Sequence, residues 1–164
     1  MSALLLGNAP TQYLTFMLGS EMFAVGILAI REIIEYGGVT PVPHMPPCIS
    51  GVINLRGAAV PVLDLAPRLD RAPSPIGKRT CIVIVEAGEG EDVMVIGLLV
   101  DAVNAVLDIG AGDIGPPPPF GARVRADLLQ GIGKVNGKFV LLLDIQHVVS
   151  ATEIAAMAEV PLLA

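Results

Sequence analysis

The chain repeats itself. Residues 51–69, GVINLRGAAVPVLDLAPRL, align with 131–149, GIGKVNGKFVLLLDIQHVV, so that Gly51 meets Gly131, Gly57 meets Gly137, Val60 meets Val140 and Asp64 meets Asp144. A second pair lies upstream: 23–34, FAVGILAIREII, against 96–107, IGLLVDAVNAVL, which sets Phe23 on Ile96. Two blocks recurring in the same order imply two copies of one small unit. The surface between such copies is a natural place for a partner to bind.

Within each copy the apolar runs are short, β-branched and divided by turn residues, the pattern of consecutive strands. The first copy predicts strands at 13–18, 22–25, 27–36, 49–55 and 58–63, the third opening with a helical turn at 27–31. The second predicts strands at 79–86, 93–100, 101–108, 128–135 and 139–143, with the same helical turn before the third. Arg56–Gly57 and Asn136–Gly137 are tight hairpin turns. Pro61 puts its strand at an edge or a bulge. Residues 65–69 form one helical turn and 70–78 a linker. The segment 87–92, AGEGED, is an acidic hairpin loop. The proline-rich stretches 40–47 and 110–120 occupy matching places, so Pro116–Pro119 reads as a bridge between strands before it reads as bait for a proline-recognition domain. Residues 146–157 are amphipathic, with Val148, Val149, Ile154 and Met157 on one side, and predict a C-terminal helix within 145–158. Each unit is then a small closed or nearly closed β-barrel that protects its own strand edges.

Composition narrows the function. Apolar residues make up 53% of 164 and mean hydropathy is +0.70. Such richness means either surface reserved for a partner or two units burying area against each other. It does not mean a bilayer span, because the longest apolar stretch, 22–30, is about half the length required. The N-terminal MSALLLGNAP has no basic residue before its apolar run and no clear cleavage site, which argues against a secretory signal and for the cytoplasm. A net charge of −6, ten basic residues and few aromatics argue against nucleic acid. Cys48 and Cys81 are isolated, and with two histidines they offer no metal-ligand spacing. No phosphate-binding, nucleophile-elbow or zinc-protease motif occurs, so neither an enzyme nor a cofactor is expected.

A few polar residues remain. Asp64 and Asp144 follow apolar strands and precede helical turns, where a carboxylate caps free N–H groups; a catalytic pair across the repeat is the weaker reading. Arg56 sits at a hairpin tip where the other copy has Asn136, so the shared backbone does not require it. A guanidinium there either pairs with a local acid or reaches a partner. Glu32 is similar, its counterpart being Ala105.

These residues carry a resemblance. QYLTFMLGSEMFAVGILAIREII, then PPCISGVINLRGAAVPVLDLAPRL, then VMVIGLLVDAVNAVL, and PPPPF leading to LLQGIGKVNGKFVLLLDI are similar to the CheW family of chemotaxis adaptors over 12–147. The resemblance implies a mainly β chain of two related five-stranded barrels packed side by side and interlinked, barrel 1 over about 12–70 and barrel 2 over about 79–144, with a C-terminal helix. It implies a non-catalytic adaptor joining a CheA-type histidine kinase, through its regulatory domain, to chemoreceptor cytoplasmic tips. Carried over by position, a receptor-binding groove would use Ile30, Glu32, Arg56, Cys81, Val83, Val103 and Val106. A kinase-binding face would use Gly37, Gly38, Val39, Thr40 and Val42. The long acidic loop at 87–92 and the prolines of 42–47 depart from the family pattern and leave the pathway, swimming or surface motility, undefined. A small-molecule-binding double barrel would need more convergent polar residues than these. An adaptor with an appended receiver would need about a hundred more residues.

Overall fold

A computed structural model of the chain describes residues 11–44, 48–69, 72–73, 75–88, 93–116 and 128–149. Eleven strands form two sheets among the described residues. They are β1 (Thr11–Leu18), β2 (Glu21–Gly26), β3 (Ile30–Glu35), β4 (Ile49–Leu55), β5 (Ala58–Asp64), β6 (Cys81–Ala87), β7 (Met94–Val100), β8 (Ala102–Ile109), β9 (Ile114–Gly115), β10 (Leu129–Val135) and β11 (Lys138–Leu143). Two short helices, α1 (Leu65–Arg68) and α2 (Ile145–Val149), follow β5 and β11. The helix expected over 145–158 is seen in its first turn; residues from 150 onward lie outside the described residues.

The duplication is real at the level of register, yet the barrels are not the repeats. One sheet has the order β8-β1-β2-β11-β10-β9 and the other β3-β6-β7-β5-β4. Barrel A thus joins the first two strands of the first copy to the last strands of the second, and barrel B takes β3 to β7. The contiguous units 12–70 and 79–144 exchange strands. Matching pairs confirm the kinship. Gly51 faces Val62 beside a bulge, and Gly131 faces Leu142 beside the same bulge. The parallel pair Val62–Gly97 recurs as Leu142–Ala24. Ile30 faces Val85, and Val103 faces Phe16. Barrel A has six strands where five are expected; the sixth, β9, is a two-residue stub whose counterpart is the isolated bridge between Thr40 and Val52.

Three apolar clusters explain the high hydropathy. Tyr13, Ala24, Ile109, Val140 and Leu142 fill barrel A. Val60, Val62, Ile82, Ile84 and Leu99 fill barrel B. Between the barrels a larger core takes the alternate residues: Leu14, Phe16 and Leu18 from β1, Phe23 and Val25 from β2, Val83 and Val85 from β6, and Ile96, Leu98 and Val100 from β7. Strands buried on both faces have no polar alternation to show. Much of the apolar surplus therefore lies between the barrels. Arg68 crosses this seam: buried to 5% exposure, its Nε donates to the carbonyl oxygen of Val148, its own counterpart in the repeat, at 3.1 Å.

Three local expectations change. Pro61 lies in β5, between β4 and β7 in the sheet order, but pairing with β7 begins only at Val62, so the missing N–H disrupts no bond there. The helical turn expected before β8 is absent, although Ile27–Ala29 does form one before β3. In its place Asp101 Oδ2 accepts the Gly19 N–H at 2.6 Å and pins the β1–β2 turn. Asp144 caps α2 as expected, its Oδ1 accepting the His147 N–H at 3.3 Å and its Oδ2 meeting His147 Nδ1 at 2.7 Å. Asp64 makes no side-chain cap bond to α1. The residue three places on is Pro67, which has no N–H to give.

Candidate functional site

The two positive-φ hairpin tips have one backbone and different side chains. Arg56 and Gly57 adopt φ of 52° and 89°, and Asn136 and Gly137 adopt 51° and 79°. Both turns need two left-handed residues, which suits Asn-Gly and strains an arginine. Asn54 Oδ1 accepts the Gly57 N–H at 2.8 Å and steadies the first turn. Arg56 then reaches back across the barrel rim to β3. Its Nη1 donates to Glu32 Oε1 at 3.3 Å and its Nη2 to Glu32 Oε2. The Arg56 side chain is 70% exposed and that of Glu32 28%. Hydrogen bonding to Arg56 holds the Glu32 carboxyl below the usual carboxylate range, and Glu32 in turn raises Arg56. The two residues open to alternative readings are therefore each other's partners, with guanidinium surface left over.

The remaining groove candidates sit on another face. Register puts Glu32 opposite Ile84, inside barrel B, and Ile33 opposite Val83, outside it. Ile30, Cys81 and Val103 are half-buried and pack against the inter-barrel core. Val83 is fully buried and supports this face from beneath instead of lining it. Val106 stands at 46% exposure on β8. Its repeat counterpart is Ile33, at 42% exposure on β3. Ile33 is absent from the residues carried over by resemblance, although its spacing from Val106 matches that of Ile30 from Val103. Ile30, Cys81 and Val103 thus each pack against the inter-barrel core, Ile33 and Val106 stand exposed on β3 and β8, and Glu32 is joined to Arg56 on barrel B.

The segment 37–42 lies at the open seam of barrel B. Gly37, Gly38, Val39 and Thr40 border a groove of ≈ 430 Å³ with Val52, Ile53 and Asn54. Thr40 is tied to Val52 by two backbone bonds of 2.8 and 2.9 Å. Val39 packs against the core of barrel B, and Val42 is half-buried. Gly38 has φ of 102°, whereas Gly37 is exposed with open space where a side chain would begin. Among the described residues no three His, Cys, Asp or Glu side chains cluster as metal ligands, and no helix is long and apolar enough to cross a membrane.

Comparisons with known proteins place this geometry in context. The family model described as the CheW-like domain matches residues 12–153. The chain is 32% identical to a chemotaxis protein CheW from Klebsiella aerogenes over 149 residues, covering 91% of this chain and 87% of that one. It is also 32% identical to a chemotaxis protein CheW from Rhizobium meliloti, covering 90% and 93%. Protein FrzA from Myxococcus xanthus is 32% identical over 77% of this chain and 76% of its own. The crystal structure of the scaffolding protein TtCheW from Thermoanaerobacter tengcongensis superposes with a TM-score of 0.79 at 30% identity, covering 88% of this chain and 90% of that one.

Proposed function

The chain belongs to the CheW-like family, and on that premise we propose that it is a non-catalytic chemotaxis coupling adaptor, working in the cytoplasm between chemoreceptor tips and a CheA-type histidine kinase. The observation that carries this reading is likeness in sequence and fold, over about nine-tenths of the chain, to chemotaxis proteins CheW and to a scaffolding protein of that name.

The receptor face is the apolar margin of Ile30, Ile33, Cys81, Val103 and Val106, with Glu32 and Arg56 as its charged rim. Apolar side chains from both barrels beside a guanidinium suit an amphipathic helix, which lays one apolar stripe into a groove and its polar flank on the rim. The kinase face is the seam at Gly37, Gly38, Val39, Thr40 and Val42, on barrel B. Separate faces let one molecule hold both partners. A receptor change then alters the kinase only through contacts that differ between its states.

The test is capture of both partners by the same molecule. Immobilised chain is offered a receptor-tip fragment and a CheA-type regulatory domain, singly and together; each is expected to bind without displacing the other. Gly37→Glu adds a carboxylate where there is room for it, and it is expected to weaken kinase capture about tenfold or more while receptor capture and melting stay unchanged. Equal loss of both partners from a normally melting variant would sink the two-face assignment. Failure of the parent chain to bind either partner would sink the adaptor reading.

A further inference from the structure

The Asn136–Gly137 tip suits its turn but carries a chemical liability that the matching Arg56–Gly57 tip does not. Asparagine is thermolabile because the next residue's backbone nitrogen can attack its side-chain carbonyl carbon. A following glycine leaves that approach open. Asn8, Asn54 and Asn104 precede alanine or leucine, and Asn136 alone precedes glycine. Asn136 and Gly137 are both exposed, and a Cβ built on Gly137 would meet nothing within 4 Å. The two tips also differ in one hydrogen bond. Register sets Asn54 opposite Ala59 and Lys134 opposite Phe139, so Asn54 and Lys134 are equivalent. Asn54 Oδ1 accepts the Gly57 N–H at 2.8 Å, whereas Lys134 offers no acceptor and the Gly137 N–H donates to nothing among the described residues. No hydrogen bond among the described residues holds the Asn136 side chain either. Nucleophile and electrophile are thus both free on adjacent residues of one tip, while the same nitrogen is tied at the other.

We propose that Asn136 is a site of spontaneous covalent modification, deamidating through the backbone of Gly137 at a rate set by the unbonded Gly137 N–H. The Gly137 nitrogen gives its proton to a solvent base and bonds to Asn136 Cγ; the bond from Cγ to Nδ2 breaks and ammonia leaves. Water then opens the cyclic imide. Opening at Cγ leaves an aspartate. Opening at the Asn136 backbone carbonyl leaves an isoaspartate, whose main chain runs through the former side chain. No oxidant, metal or cofactor enters. Either product adds one negative charge to a chain of net −6. The isoaspartate also adds one main-chain carbon to a two-residue turn that closes the pair Val135–Lys138. Turn geometry fixes hairpin register. β11 is also the strand that pairs with β2, so the isoaspartate form loosens barrel A. The inference is independent of the adaptor reading, since neither receptor nor kinase takes part.

The experiment is peptide mapping by mass spectrometry on the folded full chain, held at neutral and at alkaline pH below its melting transition. Isoaspartate is counted by methylation with a protein-isoaspartate methyltransferase and labelled S-adenosylmethionine. Conversion is expected at Asn136, faster at the higher pH, and not at Asn54 or Asn104. K134N places in barrel A the acceptor that Asn54 supplies in barrel B. It is expected to slow conversion of Asn136 about fivefold, the contribution of one hydrogen bond that must break before attack. R56N puts asparagine before glycine on both tips of one chain, and position 136 is expected to convert about fivefold faster than position 56. Melting curves equal to the parent's establish that both variants are folded, and chains enriched in isoaspartate are expected to melt lower than fresh chain. An Asn136 that keeps its amide while a synthetic peptide of residues 132–140 converts overturns the proposal, as does a rate that K134N leaves unchanged.

Discussion

Arg56 holds an unfavourable backbone angle that its fold does not require of an arginine. At φ of 52° an asparagine or glycine is easier, and Asn136 occupies the equivalent place at 51°. Arg56→Asn therefore keeps the turn and removes the charge more cleanly than truncation to alanine. The melting temperature is expected to move by about 2 °C or less, while capture of a receptor-tip fragment weakens roughly thirtyfold. A melting curve and a binding titration on one sample check it; a drop of many degrees would make Arg56 a structural residue. The Glu32 partner adds a pH signature. Its carboxyl titrates below the ordinary range because Arg56 hydrogen-bonds the charged form. A folded pKa below the unfolded one stabilises the fold at pH above the unfolded value, and the effect fades as pH falls through the folded value. The melting gap between the parent and Glu32→Gln should thus be present near neutrality and close in acid. A gap that is constant with pH would remove the ion pair as its cause.

Elements show where the repeat is strict and where it bends. Gly51 and Gly131 occupy matched bulges, each pressed by a crossing backbone. A Cβ at Gly51 would lie 2.3 Å from the Thr40 carbonyl oxygen, and one at Gly131 2.7 Å from that of Gly115. Those oxygens belong to backbone and cannot swing aside. Gly51→Ala and Gly131→Ala should each cost ~2 kcal/mol or more by denaturant melting. A cost below ~0.5 kcal/mol would mean that the seams are loose. The strands, both hairpin tips and the order of elements are legible in the sequence, because alternation and turn residues are local signals. The failures have equally physical causes. Pro67 cancels the cap at Asp64, a fact present in the sequence that repeat symmetry hides. Asp101 replaces a helical turn because it finds Gly19, 82 residues away, which no local pattern reports. Val83 reads as a groove residue until burial on both strand faces is known. Ile33, proposed for the same face, is reached by carrying Val106 back across the repeat.

The whole molecule is two copies exchanged into two barrels, with one core between them. Because that core draws on both sheets, the barrels are expected to unfold together in a single calorimetric transition. The exchange also predicts that cutting the linker does not divide the protein. A protease site inserted beside Ile76, which is 53% exposed, separates the repeats in sequence. Yet β1 stays paired with β8, β2 with β11, β3 with β6 and β5 with β7 across the cut. The nicked chain should migrate as one species on a native column and fall into two pieces only in denaturant. Separation under native conditions would contradict the strand order. The same order sets a timetable on the ribosome. Barrel B is continuous from Ile30 to Val100, so all its strands emerge one after another. Barrel A begins first and finishes last: β2 ends at Gly26, and its partner β11 is not complete until Leu143. At a synthesis rate of ~5–20 residues per second, the β1–β2 hairpin waits roughly 6–25 s before β11 covers its Tyr13 and Ala24. The nascent chain's window for misassembly lies in that delay, and a newborn molecule depends most on its chaperones at its own N-terminal hairpin.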